Sequence, residues 1–105
     1  MKNNYIKLSH VEAKKMMDNE KDIVILDVRE PDEIETGYID GAVFIPNGDI
    51  EEKATQILTD KNKKILVYCR SGKRSMEACE KLVKLGFSNV YDFGGIMDWP
   101  FEVVM

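Results

Sequence analysis

The chain has only two cysteines, one histidine and one tryptophan among its 105 residues. The two cysteines, Cys69 and Cys79, stand ten positions apart. They make neither a disulfide framework nor a metal-ligand set, so no metal and no cofactor are expected. The single histidine, His10, would have to serve any Cys-His protease-like pair. It falls in the first turn of an expected helix and reads as a solvated surface residue instead. No stretch approaches the ~20 apolar residues of a membrane span. Met1-Lys2-Asn3-Asn4-Tyr5 leads into no apolar run of signal-peptide length. The expected location is therefore a reducing cytoplasm, with no membrane partner. An excess of basic charge is also missing: the net charge is -4, which argues against nucleic-acid binding.

What is present suits a soluble globular protein, with 44% hydrophobic and 32% charged residues. Residues 1–105 are expected to form one domain. A chain of this length buries roughly two-thirds of its unfolded surface, enough for one core without staples.

One stretch concentrates chemistry. Ile65-Leu66-Val67-Tyr68-Cys69-Arg70-Ser71-Gly72-Lys73-Arg74-Ser75 reads as a buried strand, a short loop and a helix start. Cys69 ends the strand, and Arg70, Lys73 and Arg74 follow within five residues. Ser71, Gly72 and Ser75 are small enough to let the backbone curl tightly. If the loop wraps around Cys69, its N–H groups point inward at the sulfur, and the helix behind adds about half a positive charge. Such surroundings lower a thiol's pKa. The pattern predicts a reactive thiolate in an anion-binding cradle. The bland alternative is an ordinary core cysteine, since free Cys is among the most buried residue types. The three cations and the glycine behind Cys69 favour the reactive reading. As a local positive spot on an acidic protein, the loop suits a small anion better than a polyanion.

The rest of the chain alternates strands and helices. Tyr5 to Leu8 is a strand candidate. Ser9-His10-Val11-Glu12 has the form of a capping box, and Ala13, Met16 and Met17 share the inner face of the helix it opens. The continuous apolar run Ile23-Val24-Ile25-Leu26-Asp27-Val28 marks a strand covered on both faces. Pro31 to Thr36 is expected to form one or two helical turns, stopped by Gly37. Val43-Phe44-Ile45-Pro46 is a short strand, and Asp49 to Leu58 a helix with Ile50, Ala54, Ile57 and Leu58 inward. Behind the Cys69 loop, a helix from about Arg74 to Leu85 carries Ala78, Cys79, Leu82 and Leu85 on its apolar face, which makes Cys79 a packing residue. Asn89 to Phe93 is the last strand, Gly94-Gly95 a turn, and Ile96 to Trp99 a helical turn. The tail from Phe101 to Met105 is apolar enough to pack back or pair with a partner chain. The expected fold class is α/β: a mostly parallel five-stranded sheet with helices on both faces and right-handed crossovers. In such sheets the ligand site lies outside the carboxyl ends of the strands. Asp27 and Cys69 both end apolar strands, so both are expected on that edge.

Several of these stretches together resemble a single-domain rhodanese. They are Leu26-Asp27-Val28-Arg29-Glu30, Gly37-Tyr38-Ile39-Asp40-Gly41-Ala42, Phe44-Ile45-Pro46, Val67 to Ser75, and Gly94-Gly95 with Trp99. The resemblance covers nearly the whole chain in order, and the Cys69 loop is its most specific part. It implies a rhodanese-like fold and a sulfurtransferase. Cys69 would take a sulfane sulfur from a donor such as thiosulfate, becoming a persulfide. It would pass that sulfur to a thiophilic acceptor such as cyanide or a thiol, the thiol belonging to a small molecule or to another protein. Arg70, Ser71, Gly72, Lys73 and Arg74 would form the cradle, with Asp27 and Arg29 as supports behind it. Two departures from the family pattern stand out: Tyr38 replaces a frequent histidine and Asp40 a frequent proline. Altered loop packing is expected there rather than lost function. Two other classes compete. In phosphatases and arsenate reductases of related fold, arginine follows the cysteine by six residues. Here Arg74 follows by five, in a shorter loop that suits one sulfur atom. A non-catalytic rhodanese-like binding module is the other alternative, although inactive domains of this kind usually lack the cysteine.

Overall fold

The structure is a computed structural model and describes residues 4–105. Five parallel strands form one sheet: β1 (Ile6–Lys7), β2 (Ile23–Asp27), β3 (Val43–Phe44), β4 (Lys64–Cys69) and β5 (Val90–Gly95). Their spatial order is β1-β5-β4-β2-β3, with β4 at the centre. All four pairings are parallel, as the unbroken apolar runs of β2 and β4 require.

Alternation along β4 divides the core between two faces. Ile65, Val67 and Cys69 join Leu26, Ile50, Ala54, Ala78, Cys79 and Leu82 on one face. That face is covered by α3 (Ile50–Ile57) and α4 (Lys73–Lys84). Leu66 and Tyr68 join Ala13, Ile39, Phe93 and Trp99 on the other. There α1 (His10–Asn19) and a 3-10 turn (Ile96–Asp98) provide the cover. The helices thus lie on both faces, as expected. α1 opens with the predicted capping box: Ser9 Oγ accepts from the Glu12 N–H, and Glu12 accepts from the Ser9 N–H. α2 (Pro31–Ile34) is only one turn long, with Pro31 in its first turn.

Three details depart from the sequence reading. His10 is half-buried, edge-on to Trp99 with ring centroids 5.3 Å apart, rather than fully solvated. The aromatic cluster on that face supplies a partner that local sequence does not reveal. Ile57 is 49% exposed, so the inward stripe of α3 narrows to Ile50, Ala54 and, just past its end, Leu58. β5 runs through Gly94-Gly95 instead of turning there, because a β-bulge absorbs the extra residue. Val67 pairs with Asp92, but Cys69 pairs with Gly95. The apolar tail does pack back: Val104 forms an antiparallel bridge with Tyr38, each N–H donating to the other's carbonyl at 2.8 Å.

Candidate active site

The carboxyl ends of β2, β4 and β5 meet at one edge of the sheet, and every residue the sequence nominated lies there. Cys69 ends β4. The chain then arcs through Arg70 and Ser71 to Gly72, which caps α4 with φ of 106°. Only glycine adopts that left-handed conformation freely. Gly72 also faces the backbone of Gly94 closely, a Cβ there lying 3.6 Å from the Gly94 Cα. In this pose the Gly72 N–H donates to Cys69 Sγ at 3.0 Å. Among the described residues it is the only hydrogen bond to that sulfur, fewer than the ring of N–H donors expected from sequence. A thiol at the floor of the arc reaches only the amide three residues ahead.

Cys69 itself has no exposed surface. It sits on the α3/α4 face with Ile65 and Val67, and the loop closes over it. The cysteine is therefore both a packed residue and the floor of the loop. Arg70, Ser71 and Lys73 are exposed around the mouth, while Arg74 is half-buried.

The cations are not equivalent. The Arg74 guanidinium is taken by Glu33 of α2, with Nη1 donating to Oε1 at 2.6 Å and Nη2 to Oε2 at 2.8 Å. That fork holds the Glu33 carboxyl well below the ordinary range, at about 2. Arg70 makes no ion pair among the described residues, and its carbonyl accepts the Met97 N–H at 3.0 Å.

Asp27 and Arg29 form a buried pair, with Nη2 and Oδ2 2.8 Å apart and both side chains almost wholly enclosed. Arg29 Nη2 also donates to the Gly37 carbonyl at 2.7 Å, and Nη1 to the Glu33 carbonyl at 3.2 Å. The guanidinium lies 5.7 Å from the centre of the Tyr68 ring, and the Tyr68 hydroxyl accepts the Ile39 N–H. Burial pushes the Tyr68 phenol up, so it stays neutral. These contacts fix the Gly37–Ile39 loop beside β4. Neither Asp27 nor Arg29 bonds Cys69; both stand behind it.

Two acidic residues escaped the sequence reading. One is Glu33. The other is Asp92 of β5, only 4% exposed beneath the loop. Asp92 Oδ1 accepts from Ser75 Oγ at 2.8 Å and from the Gly94 N–H at 3.0 Å. It thereby ties the first turn of α4 to the bulge. An acidic residue directly before a Phe-Gly-Gly bulge was the available signal. The Glu30–Glu33 spacing, which forms the capping box of α2, was the signal for Glu33.

Beside the loop lies an open cleft of about 530 Å³. Arg29, Glu33 and Arg70 contribute its polar wall, and Met97, Phe101 and Val103 its apolar wall. No group of acidic, histidine or cysteine side chains among the described residues could hold a metal ion. No helix among them is long and apolar enough to cross a membrane.

The model of the rhodanese-like domain matches residues 9–100. The chain belongs to the rhodanese-like domain family. Similar rhodanese relatives include the putative sulfurtransferase YtwF of Bacillus subtilis, 39% identical over 95 residues, which are 90% of either chain. The thiosulfate sulfurtransferase GlpE of Coxiella burnetii is 36% identical over 96 residues, covering 90% of this chain and 87% of that one. A solved rhodanese-related protein from Thermoplasma volcanium superposes with a TM-score of 0.81 at 32% identity. It covers 95% of this chain and 98% of its own. Family membership and relatives of this kind support a rhodanese-type sulfurtransferase.

Proposed function

We propose that Cys69 carries a sulfane sulfur between a small anionic donor of the thiosulfate kind and a thiophilic acceptor. The Cys69 thiolate attacks the outer sulfur of thiosulfate. A Cys69 S–S bond forms, the donor's S–S bond breaks, and its electron pair leaves on sulfite. Cyanide, or a thiolate on a small molecule or another protein, then attacks the terminal sulfur and returns Cys69 as thiolate. Both the leaving sulfite and the persulfide are anions. They gain from the Gly72 amide, the N-terminus of α4 and the cations Arg70, Lys73 and Arg74. Asp27 and Arg29 hold the neighbouring loop without touching the sulfur. The reducing cytoplasm, where a thiol stays free, suits this chemistry.

The observation that carries this reading is the Gly72 N–H aimed at Cys69 Sγ at a helix N-terminus, inside a basic loop. Thiosulfate as donor is also supported by the name of the GlpE relative. A phosphatase reading is less well supported. Phosphoryl transfer needs donors around three equatorial oxygens, and the Arg74 fork is already bound to Glu33.

The test is parallel turnover of thiosulfate with cyanide and of p-nitrophenyl phosphate, with intact mass after thiosulfate treatment. Sulfur transfer, one added sulfur on the protein and no phosphate release are expected. Cys69→Ser is expected to abolish both transfer and mass gain while folding normally. Transfer at the wild-type rate in that variant would sink the assignment. Cys69-dependent phosphatase turnover comparable to sulfur transfer would show the loop to be misread.

A further inference from the structure

A line of alternating charge runs from the end of β2 to the first turn of α4. The buried Asp27 carboxylate holds Arg29. Arg29 donates to the Glu33 carbonyl, and the Glu33 carboxylate holds Arg74 in a two-point fork. Glu33 Oε1 also accepts the Glu30 N–H at 2.9 Å, which closes the capping box of α2. One residue thus binds three elements: its carboxylate holds its own helix and the helix that ends the Cys69 loop, and its backbone carbonyl holds the buried pair behind it. The fork spans 41 positions of sequence and is mostly enclosed, with 31% and 24% of the two side chains exposed. Arg74 stands in the first turn of α4, the helix into which the Cys69 loop runs.

From this geometry we infer that Glu33 is a positioning residue for sulfur transfer, acting through Arg74. Its fork fixes the guanidinium against α2 and commits both Nη groups to Glu33, so Arg74 supplies charge to the Cys69 loop with fewer hydrogen bonds left for the donor anion. The cations left to grip the incoming anion are Arg70 and Lys73, both exposed at the mouth. Glu33 therefore trades ground-state affinity for loop placement. A guanidinium released from Glu33 would bind thiosulfate more tightly, yet hold the loop in the wrong place. This rests on the sulfurtransferase reading above.

The test measures kcat and KM for thiosulfate, with cyanide as acceptor, in the full chain and three variants, alongside melting temperature. In Glu33→Gln, KM is expected to fall roughly threefold to tenfold as the freed fork joins ground-state binding. Its kcat is expected to fall roughly tenfold to a hundredfold as the reacting groups lose register. Glu33→Asp keeps the charge and is expected to recover most of kcat. Arg74→Lys keeps the positive charge but not the planar fork, so kcat falls without the drop in KM. A merely structural role would lower the melting temperature and leave KM unchanged or raised in Glu33→Gln. That result overturns the inference, as does a Glu33→Gln enzyme with wild-type kcat and KM. Should Glu33→Gln not fold, Arg74→Lys decides: lost kcat at constant KM supports the inference, and unchanged kcat overturns it. If the wild-type chain neither turns over thiosulfate nor gains sulfur mass, the sulfurtransferase reading fails. A wild-type enzyme that works while Glu33→Gln is unaffected refutes only the role of Glu33.

Discussion

The two cysteines show how environment separates residues of one type. Cys69 and Cys79 belong to the same core cluster, and neither has exposed surface. Cys69 ends a strand beneath a glycine amide and the first turn of a helix. Cys79 lies inside α4 on its apolar face, where burial foremost, and then the nearby Asp92 charge, push its thiol up. It stays a neutral packing group. Cys79→Ser places a hydroxyl in that pocket and is expected to cost about 1–2 kcal/mol. Urea unfolding should report that loss while thiosulfate:cyanide turnover stays near the wild-type value. Lost turnover at unchanged stability would instead place Cys79 in the chemistry. Cys79 was legible as a core residue because helical periodicity alone puts it with Ala78 and Leu82. Glu33 and Asp92 were not legible as site residues, because their partners, Arg74 and Ser75, lie 41 and 17 positions away.

At the scale of elements, the bulge in β5 decides how closely the last strand approaches the loop. It brings Gly95 opposite Cys69, where a Cβ would lie 2.2 Å from the Arg70 carbonyl oxygen. The atoms that Cβ would meet are backbone, so relief requires moving the loop itself. Gly95→Ala is expected to destabilise by about 3 kcal/mol or more, the upper end of overpacking costs. It should also slow sulfur transfer even at temperatures where the variant remains folded. Wild-type turnover and melting temperature would mean the loop tolerates displacement. The sequence suggested a turn at this glycine pair. The bulge became necessary only through the register of β5 against β4, and register belongs to the assembled sheet.

For the molecule as a whole, stability in acid should carry the imprint of the Glu33–Arg74 link. The fork lowers the Glu33 carboxyl from its ordinary 4.5 to about 2. A group depressed on folding adds stability that is fully present above its unfolded pKa and lost as pH falls through the folded one. The contribution is therefore expected to be complete above about pH 5 and to fade toward pH 2. A quarter of the Glu33 side chain is exposed. Screening reduces the effect to roughly 1 kcal/mol, below what the full shift would imply. Urea midpoints across that range should converge for wild type and Glu33→Gln as pH drops. Parallel curves would show that the pair adds nothing to stability.

What the sequence determined by itself was whatever short-range pattern controls. Apolar runs specified β2 and β4, a capping box started α1, and helical spacing assigned the inner faces of α1 and α4. Chain order then sufficed for a parallel sheet with helices on both faces. The rule that ligands bind beyond the carboxyl ends of parallel strands put Asp27 and Cys69 on one edge. Only the tertiary structure decided which charges meet there. It turned Arg29 onto Asp27 and the Gly37 carbonyl, gave Arg74 to Glu33, and left Arg70 without an ion-pair partner among the described residues. The physical reason is that an ion pair depends on the direction and reach of two side chains. For Glu33 and Arg74 both follow from how α2 and α4, 41 positions apart in their paired residues, are brought together at the sheet edge.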